Sequence, residues 1–303
     1  MEHPHEPPTL DARAVRAVSP DRLELGEGLR LLDDHSVILV DILAGRLLRL
    51  DPAAAPEHAL TQIARLPEPL GAVAPLPGHG WLAAAGTGFV LLPAEGARDA
   101  EPRWLHRPAS GAGPTRRMND AVCDAAGRMW AGSMAYDNTE GAGSLYRLDP
   151  DGTVSEVVAG LTIPNGPAFS PDGTTLYLAD SAHGHIDAFT LDRRSGALSE
   201  RRPFARFTTD EGSPDGMVTD AHGRLWCAVW GAAQVRCYSP DGRLLTAVPL
   251  PAAQPTSVCL TGQRLLVTTA AVGLADPGPW DGAVLDIPCT APPVPTPRAS
   301  LTT

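Results

Sequence analysis

A short apolar unit returns six times along this chain. It reads VILVDI (Val37 to Ile42), WLAAAG (Trp81 to Gly86), RMWAGS (Arg128 to Ser133), TLYLAD (Thr175 to Asp180), RLWCAVW (Arg224 to Trp230) and RLLVTTA (Arg264 to Ala270). With Ile38, Trp81, Trp130, Tyr177, Trp226 and Leu266 as markers, the intervals are 43, 49, 47, 49 and 40 residues. Repeats of this length that contain only short strands are the pattern of propeller blades. Turns punctuate the units. Asp124-Ala-Ala-Gly127, Pro171-Asp172-Gly173 and Asp220-Ala-His-Gly223 precede three of them, and second strands such as Ile186 to Asp192 follow. Asp and Gly both tolerate positive φ, so Asp-Gly between apolar runs marks a hairpin. The chain therefore reads as all-β, a six-bladed β-propeller over residues 13–289. Residues 1–12 are expected to be a flexible segment and 290–303, rich in Pro and Thr, a disordered tail. A strand near Arg22 to Leu25 is expected to close the ring beside Gly282 to Ile287, protecting an open edge.

The balance of residues narrows the function. The net charge of -11 disfavours nucleic acid, whose phosphates need a basic surface. No run of 18 apolar residues and no apolar leader core is present, so neither a membrane span nor export is expected. Five cysteines without a CxxC pair read as reduced and mostly buried, which points to the cytosol. A monomer acting on a small molecule is the expectation.

The polar residues upstream of the markers carry the chemistry. Glu27, Asn119 and Asp215 each lie 11 residues before their marker, and Asn165 lies 12 before its own. Equivalent positions in a ring of blades face the axis together, so these four should converge on the central channel. The second blade breaks the phase, at Leu70 and Gly71. Each of the four also sits in a Gly- or Asp-containing turn, where plain turn chemistry is the competing reading. Two carboxylates and two carboxamides are hard oxygen donors that suit Ca²⁺, with charge balanced by the carboxylates. Zn²⁺, Mn²⁺ and Mg²⁺ stay open. Ser133 and Ser257 lack a GxSxG setting, so a serine nucleophile is not expected. His183 and His185 read as a surface turn, Asp180 as a turn acceptor, and Trp130, Trp226 and Trp230 as packing between blades. Asp120 reads equally as a turn residue or as support for Arg117 or the metal.

Around these residues the sequence resembles the SMP-30/gluconolactonase/luciferin-regenerating family. The resemblance runs from about Leu23 to Leu274 and rests on LGEG (Leu25 to Gly28), VDILAGRLLRLDP (Val40 to Pro52), RRMNDAVCDAAGRMWAGSM (Arg116 to Met134), IPNGPAFSPDGTTLYLADS (Ile163 to Ser181) and SPDGMVTDAHGRLWCAVW (Ser213 to Trp230). It implies one divalent metal held by Glu27, Asn165 and Asp215, with Asn119 at or beside it. It also implies substrate contact through Arg117 and a base at Asp215. The implied reaction is hydrolysis of a small lactone, a sugar lactone above all, by attack of a metal-polarised water. Two departures stand out. Gly28-Leu29-Arg30-Leu31 replaces the family's small residue, Pro and Trp, making one wall more apolar. The family's acidic loop residue has only Asp137 or Glu140 as counterparts. A metal-binding regulator without turnover, a phosphotriesterase-type hydrolase and an interaction propeller are the alternatives.

Overall fold

In the computed structural model, which describes residues 4–32, 35–78, 80–97, 100–294 and 296–302, every repeat becomes one four-stranded sheet. A two-residue strand β1 (Arg16–Ala17) precedes the first blade, β2 (Gly26–Leu31), β3 (Val37–Asp41), β4 (Arg46–Leu50) and β5 (Leu60–Arg65). The second blade is β6 (Leu70–Leu76), β7 (Gly80–Ala85), β8 (Gly88–Leu92) and β9 (Arg103–His106). The third is β10 (Arg116–Cys123), β11 (Met129–Ala135), β12 (Gly143–Leu148) and β13 (Val154–Leu161). The fourth is β14 (Pro164–Phe169), β15 (Thr175–Asp180), β16 (His185–Leu191) and β17 (Leu198–Arg206). The fifth is β18 (Ser213–Thr219), β19 (Leu225–Trp230), β20 (Gln234–Tyr238) and β21 (Leu244–Pro249). The sixth joins β22 (Pro255–Leu260), β23 (Arg264–Thr269) and β24 (Val284–Pro288) to β1. Helical content among the described residues is limited to five 3₁₀ turns of three residues. The molecule is a six-bladed all-β propeller.

Burial explains the strand composition. The second strands are apolar on both faces because blades stack face to face; all five residues of β3 are buried. The outer strands see solvent, as in LTQIAR of β5, where no residue is fully buried. One core cluster joins Trp226, Val235 and Cys237 of the fifth blade to Val258, Leu265 and Leu285 of the sixth. The turns before β11 and β19 are built alike. Asp124 accepts from Arg128 Nε and, at 3.0 Å, from Trp130 Nε1, while Asp220 accepts from Arg224 Nε and, at 3.2 Å, from Trp226 Nε1. Each tryptophan is thus core packing whose one polar atom is satisfied.

The ring closes by a different segment from the one expected. Arg16 pairs with Asp286 and Ala17 with Leu285, whereas Arg22 to Leu25 runs as an irregular connection. Leu23 is buried there, and its amide donates to the Gly282 carbonyl at 2.7 Å. The closing strand takes its ladder from backbone groups of β24, with Arg16 bonded to the Asp286 carboxylate at 2.9 Å.

Both ends of the chain lie against the ring. Leu10 bridges Cys289, and the carbonyls of His5 and Glu6 accept from Arg243 and Arg224. In the C-terminal segment Pro293 bridges Asp220, Ala299 N donates to Pro75 O and Ser300 N to Gly127 O. Ala299 is buried in the cluster between the second and third blades. An extended, Pro-rich chain packs where it carries a few small apolar anchors and finds acceptors for its amides.

Candidate functional site

The six innermost strands, β2, β6, β10, β14, β18 and β22, line the channel, and each breaks register at the same level. The breaks fall at Glu27/Arg30, Leu70/Ala72, Met118/Ala121, Asn165/Ala168, Pro214/Met217 and Pro255/Ser257. A β-bulge re-aims the side chain beside it, and six at one level make a ring of re-aimed groups. The second blade contributes Gly71 to this ring for want of room: a Cβ there would stand 2.1 Å from the Asn119 carbonyl oxygen. This accounts for the broken phase at Leu70 and Gly71. In the sixth blade the ring position is Thr256, whose hydroxyl donates to the Gly26 carbonyl.

Glu27, Arg117, Asn119, Asn165 and Asp215 come together at these bulges, all buried. Arg117 donates to the Asn119 carboxamide oxygen at 2.7 Å and to the Met118 carbonyl at 3.0 Å. Asn119 Nδ2 donates to Asn165 Oδ1 at 2.6 Å and to the Pro164 carbonyl. Asn165 Nδ2 donates to Ser181 Oγ at 2.9 Å, and that hydroxyl donates to the Pro214 carbonyl at 2.6 Å. One relay therefore runs across three blades and fixes the orientation of both carboxamides. Glu27 Oε2 accepts from the Gly28 amide at 3.1 Å, and the Glu27 carboxyl lies near enough to that of Asp215 for the two to interact electrostatically.

The electrostatics are those of a crowded acid cluster. Burial pushes the Glu27 carboxyl well above the ordinary carboxylate range, and the neighbouring Asp215 and Asp120 push it further. Burial does the same to Asp215, with Asp120 adding to it. Burial lowers the Arg117 guanidinium, though Tyr136, Glu27 and Asp215 counter this. Asp215 Oδ1 and Asp120 Oδ2 are buried without a hydrogen-bond partner. Such orphaned oxygens are costly unless a proton or cation serves them.

Other residues singled out from sequence divide. Asp120 does not hold Arg117; its Oδ1 accepts from Arg30 at 3.2 Å and from the Ala121 amide at 2.8 Å. Asp137 is exposed and ties its own turn to Thr139, and Glu140 is exposed with its carboxylate 3.5 Å from His183 Nε2. Neither joins the bulge ring. Asp180 is a turn acceptor for the amides of Thr162 and Ile163 and meets His183 Nδ1 at 3.0 Å. Sequence reasoning missed Ser181 and Arg30. Ser181 directly follows the fourth apolar unit, so its phase was a usable signal. Arg30 pairs across 90 residues, which spacing does not reveal.

Among the described residues no three His, Cys, Asp or Glu side chains gather as a metal set. The candidate set is two carboxylates and a carboxamide oxygen. It fits an oxygen-ligated dication on two grounds: the unpartnered Asp215 Oδ1, and two buried carboxyls facing each other with a net negative charge to neutralise.

Comparison with known proteins identifies a family and a fold. The profile of the SMP-30/Gluconolactonase/LRE-like region matches residues 25–271. Pentonolactonase XacC of Haloferax volcanii is 33% identical over 260 residues, covering 84% of this chain and 85% of that protein. L-arabinolactonase of Azospirillum brasilense is 41% identical over 169 residues, 54% of this chain and 55% of that one. A solved structure of a calcium-binding protein, regucalcin, from Agrobacterium tumefaciens superposes with a TM-score of 0.82 at 29% identity, covering 94% of this chain and 97% of that one.

Proposed function

The chain belongs to the SMP-30/gluconolactonase/LRE-like family, and on that premise we propose that it is a metal-dependent lactonase acting on a small polar lactone, a sugar lactone in the first instance. The observation that carries the reading is the buried Glu27–Asp215 carboxyl pair, with its orphaned oxygen, set beside Arg117 and Asn119. Similarity to two lactonases supports the reaction class.

Glu27, Asn165 and Asp215 would hold the ion, with Ca²⁺ the first choice for an all-oxygen set and Zn²⁺, Mn²⁺ or Mg²⁺ alternatives. When bound, it supplies Lewis acidity toward the lactone carbonyl and neutralises the carboxylate pair. Asp215 takes the proton from the attacking water. Arg117 and Asn119, locked to each other at 2.7 Å, orient the substrate, and the Arg117 guanidinium offers positive charge and N–H donors where oxyanion charge grows. Ser181 holds Asn165 in position.

We further read the protein as a cytosolic monomer without nucleic-acid or membrane partners. Cys123, Cys227, Cys237 and Cys259 are buried thiols, and among the described residues no helix is long and apolar enough to cross a membrane. The test is hydrolysis of a panel of aldonolactones, followed by pH indicator, on protein stripped and then reloaded with each metal. Metal-dependent turnover is expected. Metal binding with no turnover on any lactone would overturn the enzyme in favour of a non-catalytic regulator.

A further inference from the structure

A cavity of about 520 Å³ lies on the opposite face of the ring from the starts of the inner strands, and none of the five polar site residues lines it. Its walls include the hairpins at Asp124 to Ala126 and Ser170 to Gly173, which join inner strands to second strands. Its inner end is apolar, with Leu29, Leu31, Ala168, Met217 and Leu260 drawn from four blades. The C-terminal segment forms part of its lining through Pro293, Val294 and Pro297. That segment is anchored at the fifth blade by Pro292 and Pro293, and at the second and third by Ala299 and Ser300, so it spans the ring. Leu29 and Leu31, the apolar departures from the family pattern, therefore line this lower cavity.

The charges along the lining are unequal. Asp124 is consumed by Arg128, Trp130 and the amides of its own turn, and Asp172 by Ser170 and Thr174. Arg30 is paired with Asp120. Arg193 and Arg194 also line the cavity; both are exposed, and among the described residues neither guanidinium has an ion-pair partner. Both belong to the turn joining β16 to β17, and their carbonyls are held by Arg128, which fixes the backbone that carries them.

We propose that this lower cavity is a second binding site, for a small amphipathic anion: an unbranched monocarboxylate whose apolar body lies along Leu31, Ala168, Met217 and Val294 and whose carboxylate meets Arg193 and Arg194. A volume of about 520 Å³ lies within the roughly 300–1,000 Å³ of small-molecule sites, and a mostly apolar lining with a few charges at one end is their usual chemistry. Arginine is suited to the carboxylate because its planar fork donates to both oxygens at once.

The probe is decanoate, titrated calorimetrically into the full-length protein, with decanol as the uncharged control. One saturable site with a Kd below about 100 μM is expected, a threshold equivalent to roughly -5.5 kcal/mol. R193E/R194E, which changes exposed side chains, should weaken decanoate at least about tenfold and leave decanol unaffected. Leu31→Trp, which fills the apolar end, should abolish both, with the thermal midpoint of each variant measured to confirm folding. Absence of saturable binding would overturn the proposal, as would decanoate binding that both variants leave unchanged. Loss of decanoate binding in Glu27→Gln would also overturn it, since that would move the anion to the upper cluster. The lactonase reading is independent of all these outcomes.

Discussion

Asp215 is assigned two duties, and its isosteric variant separates them. Asp215→Asn keeps an oxygen donor but loses the charge and nearly all basicity. Metal affinity should weaken, yet excess metal should refill the site, and turnover should stay about 10²- to 10⁴-fold low because the base is gone. Glu27→Gln is the control: assigned only to the ion, it should regain most activity at saturating metal. Rates compared at equal measured occupancy decide the matter, and full recovery of Asp215→Asn would leave it a ligand alone. A second expectation at this scale concerns the thiols. Burial pushes Cys227 and Cys259 up to about 12, so at pH 8 the reactive thiolate is nearly absent. Neither should react with iodoacetamide until the protein unfolds; rapid native labelling, read by mass spectrometry, would contradict this. The convergence of a candidate cluster was legible at this scale where the repeat fixed a phase: Glu27, Asn119, Asn165 and Asp215 come together because one strand position recurs. Arg30 and Asp120 were not legible as a pair, since their contact joins different blades across the ring.

Among elements, the turns before β11 and β19 concentrate more stability than their size suggests. Asp220 and Arg224 are both fully buried and bonded to each other, and Asp220 also serves Trp226 and two backbone amides. Asp220→Ala removes the carboxylate that faces a buried guanidinium and leaves the Trp226 indole N–H without its acceptor. A loss of about 3–5 kcal/mol is expected, measured as a drop in the urea midpoint with the slope unchanged; a loss under about 1 kcal/mol would refute the role given to this carboxylate. The sequence announced these turns through Asp-to-Gly spacing but not the ion pair within them. It also misplaced the closing strand. A two-residue strand has no alternation to read, and the apolar residues of Arg22 to Leu25 owe their burial to the core beneath them rather than to a ladder. The contacts of the C-terminal segment were illegible for a related reason: they rest on single residues such as Ala299.

For the molecule as a whole, the ring architecture was visible from the intervals between markers, because six equivalent units can bury their faces only against one another. Ring closure itself is slight, two residue pairs of β1 on β24 reinforced by Arg16 and Arg264 on the Asp286 carboxylate. The proposed ion would add a second closure at the axis. Its donors come from the first, fourth and fifth blades, so binding would tie strands that touch only through their inner edges. It would also remove the repulsion between buried carboxylates, which the empty site must otherwise relieve with a proton. A ligand that binds only the folded state stabilises it by RT ln(1 + [L]/Kd), about 2.7 kcal/mol at a hundredfold excess over Kd. For a chain of this size that is a rise of several degrees in the thermal midpoint. The expectation is a midpoint that climbs with added Ca²⁺, returns on chelation, and does so far less in Glu27→Gln. It should be followed at fixed pH and ionic strength, with Na⁺ as the control for screening alone. A midpoint indifferent to Ca²⁺, Zn²⁺, Mn²⁺ and Mg²⁺ alike would remove the ion from the axis, and with it the Lewis acid on which the proposed hydrolysis depends.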